Sequence, residues 1–298
     1  MAYKSIFKPG LFKDDVALVT GGGTGIGRCI AHELASLGAT VIIAGRKIEK
    51  LQSTAQEMRN AGYKVDITQL DIRNLDEIKK SLNYIISKHG KLTCLVNNAG
   101  GQFAAPASEI SPNGWKTVID LNLNGTWMMC WAAYHAWMGE HGGRIVNITA
   151  AARNGIPFMA HTAAARAGIM NLTKTLCVEW APHGIRINSL APGTIVGSGM
   201  TRYPISVQQT AADNHWMNPS GRYGTEAEVS SAVVYLLSPG AAYINGITVR
   251  MDGGRDLSKT SFQRESKIPI YDGGLSVETN ELFMKLWGDY KQIGKSKL

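Results

Sequence analysis

A single doubly wound α/β domain, with a parallel sheet sandwiched between two layers of helices, is the fold class that this 298-residue sequence predicts. Three observations predict it. Short β-rich apolar runs alternate with segments of helical spacing, a glycine cluster follows the first run, and no linker or internal repeat interrupts the rhythm. Strands separated by helices must run parallel, through right-handed crossovers that place helices on both faces of the sheet.

Val16–Thr20 is the first strand, and Arg28–Leu37 is the helix after it. Thr40–Ala44 follows as a strand, then Glu49–Ala61 as a helix closed by Gly62. Val65–Leu70 and Leu92–Val96 are strands on either side of a helix over Leu75–His89. A long helix over Trp115–His141 precedes a strand at Arg144–Ile148. A helix at Ala163–Trp180, a strand at Ile185–Leu190, a helix at Ala227–Leu237 and a strand at Thr248–Met251 complete the alternation. Residues 194–225 break it with Gly, Ser, Pro and aromatic side chains, and are expected to form a substrate lid. The domain therefore spans 1–255, and 256–298 is expected to be a polar tail without a strand.

Composition narrows the function classes. An apolar fraction of 44% and a charged fraction of 18% are those of a globular protein. The net charge of +8 calls for an anionic ligand or partner. The basic residues are dispersed, with no run, zinc pattern or RNA-binding signature, so a phosphate-bearing small molecule is preferred to nucleic acid. Cys29, Cys94, Cys130 and Cys177 form no CxxC pair, which points to core thiols in a reducing compartment. No apolar stretch is long enough to span a membrane.

The octet Thr20-Gly21-Gly22-Gly23-Thr24-Gly25-Ile26-Gly27 lies between the first strand and the first helix. Glycines there let the backbone turn tightly, approach a pyrophosphate, and set a helix N-terminus against its charge. This is the position of a Rossmann-type dinucleotide site. The second strand ends at Ala44-Gly45-Arg46-Lys47. A carboxylate there would accept from a ribose 2′-hydroxyl, whereas Arg46 offers a planar fork to a 2′-phosphate. NADP(H) is the expected cofactor.

These motifs, together with Asp71, Asn97-Asn98-Ala99-Gly100, Asn122-Leu123, Ala191-Pro192-Gly193 and Asp252-Gly253-Gly254, fall in an order that resembles the short-chain dehydrogenase/reductase family over about residues 12–255. The resemblance implies that Asp71, Asn98 and Gly100 contact the cofactor, with Asp71 and Asn98 on the adenine side. Pro192, Gly193 and Ile195 are implied to lie near the nicotinamide amide. It also implies a homotetramer or dimer packed through the 115–141 and 163–180 helices. Asn122 is similar to the family's water-holding asparagine. At the family's catalytic Ser, Tyr and Lys positions this chain carries Thr149, Thr162 and Arg166. Thr149 can still donate a hydrogen bond, and Arg166 can hold the nicotinamide ribose, but an aliphatic hydroxyl is far less acidic than the tyrosine phenol it replaces.

Carbonyl reduction needs a proton delivered to the nascent alkoxide, so the loss of the tyrosine moves the expectation away from ketones and alcohols. Reduction of a conjugated C=C bond needs donors that stabilise an enolate instead. The blocks Asn97–Phe103, His161–Gly168 and Ala181–Asn188 resemble the peroxisomal trans-2-enoyl-CoA reductase and 2,4-dienoyl-CoA reductase branch. The trans-2-enoyl branch carries a Tyr where this chain has Met170. The expected activity is therefore NADPH-dependent reduction of an enoyl-CoA thioester in peroxisomal fatty-acid metabolism. The alternatives are a 2,4-dienoyl-CoA reductase, a carbonyl or alcohol oxidoreductase with an atypical proton donor, or a cofactor-binding protein with little activity. Gln102, Phe103, His161 and Tyr203 are the expected acyl-CoA contacts, with Tyr203 a surrogate phenol and His161 either a thioester donor or a structural histidine. Arg202, Arg222 and Lys259 are the cations available to CoA phosphates. The terminal Ser296-Lys297-Leu298 reads as an address for the peroxisomal import receptor, or for glycosomes in a kinetoplastid.

Overall fold

Seven strands form one parallel sheet in the order β3-β2-β1-β4-β5-β6-β9, as seen in a computed structural model that describes residues 2–152, 154–257 and 268–295. The strands are β1 (Val16–Thr20), β2 (Thr40–Gly45), β3 (Val65–Gln69), β4 (Cys94–Asn97), β5 (Gly143–Ile148), β6 (Ile185–Pro192) and β9 (Thr248–Met251). The short strands β7 (Ile195–Val196) and β8 (Gly224–Thr225) pair separately inside the expected lid. Lys259 and the terminal Ser296-Lys297-Leu298 lie outside the described residues.

β1, β2 and β4 are apolar along almost their whole length and buried, as strands covered on both faces must be. One layer of core packs α1 (Gly25–Ser36), α2 (Ile48–Asn60) and α9 (Glu226–Leu237) on the sheet. The other packs α3 (Leu75–His89), α5 (Gly125–Ala133) and α7 (Ala160–Trp180) on it. Strand order reverses between β1 and β4, which opens a crevice at their carboxyl ends.

The helix ends show how local sequence sets these boundaries. Asn74 caps α3 by accepting from the amides of Asp76 and Glu77, and Gly90 ends it in the left-handed region at φ 74°. Thr225 and Glu228 form a reciprocal capping box on α9. By contrast, Thr24 makes no side-chain cap on α1, whose first turn holds no acid. The amides of that helix start are left for an anion.

The long helix over 112–141 is not uniform. Between α4 (Pro112–Ile119) and α5 lies a π-turn at Asp120–Asn124, and a second at Tyr134–Met138 precedes α6 (Gly139–His141). The first π-turn carries Asn122, in keeping with the tendency of such turns to mark functional sites.

The described residues beyond 255 add no strand but do add structure: α10 (Glu281–Lys295) packs Phe283 and Trp287 against Val196, Ala212 and Tyr223. Ala212 belongs to α8 (Ile205–Asp213), the lid helix, and Asn280 Nδ2 donates to Gln208 Oε1 of α8 at 2.5 Å. Arg222 is buried and donates to Glu228 and to the carbonyls of Ile268 and Pro269, so it anchors this segment and is not available to CoA phosphates.

Both chain ends converge on Glu33. Its buried carboxylate accepts from the hydroxyls of Tyr3 (3.2 Å), Ser5 (2.8 Å), Ser230 (2.5 Å) and Tyr271 (3.1 Å). Removing the acceptor strands four donors at once. We therefore expect Glu33→Ala to lower the unfolding free energy by about 3 kcal/mol in urea titrations, and Glu33→Gln, which keeps one acceptor, to cost less. An alanine variant as stable as the parent would show that the clasp contributes nothing.

Candidate active site

The crevice between the carboxyl ends of β1, β2 and β4 is a groove of about 650 Å³. Its floor is the glycine turn. Gly21 and Gly25 hold φ of 66° and 57°, where a side chain is strained. A Cβ on Gly27 would stand 2.3 Å from the Gly21 carbonyl oxygen and 2.5 Å from Asn98 Nδ2. Thr20 braces the turn: its hydroxyl donates to the Val96 carbonyl and accepts from the amides of Asn98 and Ala99. Asn98 Nδ2 donates back to the Thr20 carbonyl at 3.0 Å. The cradle, with the uncapped α1 start, fits a dinucleotide pyrophosphate.

At the β2 end, Arg46, Lys47 and Lys50 line the same groove. Asp71 lines it too, but its carboxylate is held by Arg73 at 3.0 and 2.5 Å. Those bonds pull its pKa below the usual carboxylate value. The field at this end is therefore positive. Lys50 was not singled out from the sequence, although it lies one helical turn beyond Arg46 and close to the α2 start.

Gly100, Leu121 and Ile195 carry the groove inward. Pro192 and Gly193 are not among its walls: Gly193 is small because Asp252 packs on it, where a Cβ would meet the Asp252 Cα at 2.8 Å. Gly100 is small for a different reason. A Cβ there would meet Arg166 Nη2 at 2.6 Å and Asn122 Oδ1 at 2.7 Å. Asn122 is fixed by donating to the Gly101 carbonyl (2.7 Å) and the Val118 carbonyl (2.9 Å).

Arg166 is buried on α7, and its Nη1 donates to the Ile148 carbonyl at 2.8 Å. Its Nε has no partner among the described residues, and no carboxylate pairs with it there. Burial lowers the guanidinium to about 10, an effect that the nearby Tyr203 phenol opposes, so it stays charged at neutral pH. Gln102 Nε2 donates to Tyr203 Oη, which leaves the phenol proton free to be donated elsewhere. Tyr203, from the 194–225 segment, is thus brought beside Gln102.

Thr149 and Thr162 hold hydroxyls that point into the protein. Thr149 Oγ1 donates to the Leu190 carbonyl at 3.1 Å. Thr162 Oγ1 lies 3.2 Å from His161 Nδ1, which also accepts from the Thr162 amide at 2.8 Å. An accepting Nδ1 places the ring proton on Nε2. That Nε2–H is buried and without a partner among the described residues, and burial lowers the ring's pKa and keeps it neutral. Phe103 packs edge-on against the imidazole, with ring centroids 4.4 Å apart. None of Gln102, Phe103, His161, Arg166 and Tyr203 lines the groove itself: Arg166 stands behind its Gly100 wall, Gln102 contacts Tyr203, and Phe103 contacts His161.

Comparison with known proteins agrees with this geometry. The family description "short chain dehydrogenase" matches residues 15–206. A peroxisomal 2,4-dienoyl-CoA reductase [(3E)-enoyl-CoA-producing] of Mus musculus is 38% identical, over 85% of this chain and 87% of its own. A probable 2,4-dienoyl-CoA reductase [(2E)-enoyl-CoA-producing] of Bacillus subtilis is 37% identical, over 82% of this chain and 98% of its own. The solved structure of a citronellol catabolism dehydrogenase of Pseudomonas aeruginosa superposes with a TM-score of 0.76 at 43% identity, over 85% of this chain and 99% of that one. The chain belongs to the short-chain dehydrogenase family. It is an oxidoreductase, and the dinucleotide its glycine cradle accommodates is a nicotinamide cofactor.

The cradle has no room to spare. Gly27→Ala is expected to weaken NADPH or NADH binding by more than about tenfold in fluorescence titrations, with α1 retained by circular dichroism. Unaltered affinity would show that this close approach does not shape the cofactor site.

Proposed function

We propose that this protein reduces the C=C bond of a conjugated enoyl-CoA thioester with NADPH. The observation that carries the reading is that two buried donors on α7, Arg166 Nε near the Tyr203 phenol and His161 Nε2, have no partner among the described residues, with no phenol at residue 162. A bound nicotinamide supplies a hydride. The chain's own residues serve the charge that then collects on the thioester oxygen. Arg166 and the neutral His161 stabilise that oxyanion, in a site that already excludes water from both groups. Tyr203 delivers a proton to the enolate's α-carbon and regains one from solvent, while Thr149 and Thr162 act as buried supports. Asn122 and Gly100 set the depth at which the guanidinium sits.

A 2,4-dienoyl-CoA is the first substrate to test, because the relatives from mouse and Bacillus subtilis carry that activity in their names. A trans-2-enoyl-CoA is the second, and it makes the same demand on the oxyanion donors. For the cofactor, Arg46, Lys47 and Lys50 support a 2′-phosphate and hence NADPH. The terminal Ser296-Lys297-Leu298 supports import into peroxisomes. The exposed Trp115, Trp127 and Val178 support packing of the α4–α5 and α7 faces against further copies in a dimer or tetramer.

NADPH oxidation by each thioester tests the activity, and turnover of neither would refute it. Arg166→Ala should lower kcat by about a hundredfold or more with a smaller effect on KM. Tyr203→Phe should lower kcat by at least about tenfold, whereas Thr162→Val should leave it within about threefold. The reverse order would return the proton to Thr162. Arg46→Glu should weaken NADPH by about tenfold or more and spare NADH. Equal losses would remove Arg46 from the phosphate site.

A further inference from the structure

Glu226 is an acid in the wrong place for an anion-binding groove. It is the first residue of α9, and it lines the groove with Gly25 and the Gly197–Gly199 loop. A Cβ on Gly197 would stand 2.0 Å from Glu226 Oε1, and one on Gly25 would stand 3.4 Å from it. Gly197 has no side chain, and the carboxyl fills the space one would take, facing the pyrophosphate cradle. The side chain is buried, and the Ser198 amide donates to it. Among the described residues it has no ion pair within 4.0 Å.

The charged groups around it do not supply a counter-ion. Arg28 of α1 is the cation that acts on it most, but that guanidinium is held by Glu57 at 2.6 Å. Cys29 of α1 contributes a buried thiol whose pKa is raised. Glu278 of the C-terminal segment repels the carboxylate. Glu228 on the same helix is paired with Arg222. Arg202, from the loop after β7, lines the groove and is exposed. With burial dominant, the carboxyl's pKa rises to about 7.

We infer that Glu226 is a cofactor-contacting residue that enters the complex as the neutral acid, donating its carboxyl hydrogen toward the dinucleotide diphosphate, so that binding takes up one proton. A diphosphate beside an ionised carboxylate would be repelled, and its own charge makes the protonated form the favoured one. The converse follows by linkage: whatever ionises Glu226 expels the dinucleotide. The sign is fixed by the raised acid. Affinity is full below the carboxyl's own pKa and falls as pH rises through it, approaching about tenfold per pH unit for one linked proton. The inference rests on the dinucleotide reading of the groove but not on the choice between NADH and NADPH, nor on the substrate.

Calorimetric titration of the full chain with NADPH and with NADH tests it, between pH 7 and 9 and in buffers of different ionisation heat. The second ionisation of the 2′-phosphate, near pH 6, is complete across this range. The wild type should take up close to one proton at pH 8 and lose affinity with rising pH for both dinucleotides. Glu226→Gln should take up none, bind with little pH dependence, and exceed the wild type at pH 8.5 by at least about tenfold. Equal pH slopes in the two proteins, or no proton uptake by the wild type, would overturn the role of Glu226 while leaving the groove a dinucleotide site. Failure of both dinucleotides to bind at any pH would overturn the dinucleotide reading itself.

Discussion

A guanidinium buried without a carboxylate is the constraint around which the inner site is built. Transfer of an unpaired charge out of water costs several kcal/mol, and an isolated cation in a core is normally selected against. Arg166 is retained with the Ile148 carbonyl as its hydrogen-bond acceptor and an Nε that has no partner among the described residues. The neighbouring residues accommodate it: Gly100 gives up its side chain, and the π-turn at Asp120–Asn124 locks Asn122 beside it. A site that keeps a bare cation in this way is complete only when something negative is opposite it. A thioester oxygen that gains charge during reaction meets that requirement, whereas a neutral ground state meets it poorly.

The groove is graded in charge along its length. Its outer end collects Arg46, Lys47 and Lys50, and its middle is governed by oriented amides of the turn and of α1. Behind its inner wall, at Gly100, stands Arg166. Tyr203 of the 194–225 segment accepts from Gln102, and that segment is itself backed by α10. The clasp at Glu33 ties the N-terminal segment and Tyr271 to α1 and α9, the helices on either side of the pyrophosphate cradle. Packing far from the chemistry thus bears on the geometry of the cofactor turn.

Much of this was legible in the sequence, for physical reasons that differ by element. The central strands β1, β2 and β4 are nearly continuous apolar runs because both faces are covered, and the crossover rule then fixes the direction of the sheet's strands. The glycines of residues 21–27 announce themselves because no other residue tolerates those backbone angles and contacts. Other features depend on long-range placement and leave little local trace. Helix α10 is not one of these: Leu282, Phe283, Leu286 and Trp287 recur at helical spacing, a local signal that the expectation of a polar tail over 256–298 passes over. The hydroxyls of Thr149 and Thr162 turn toward Leu190 and His161, which their positions in a motif do not disclose. Glu226 meets the cofactor groove only because Gly197, distant in sequence, leaves room for it.

The proposed role of Arg166 and His161 is to face an oxyanion. A crystal structure of the protein with NADP+ and an unreactive acyl-CoA thioester tests it most directly. The thioester oxygen should lie within about 3.2 Å of Arg166 or His161 Nε2, with the Tyr203 phenol on the same side. A thioester oxygen held by other groups, with both donors turned away from it, would contradict the claim.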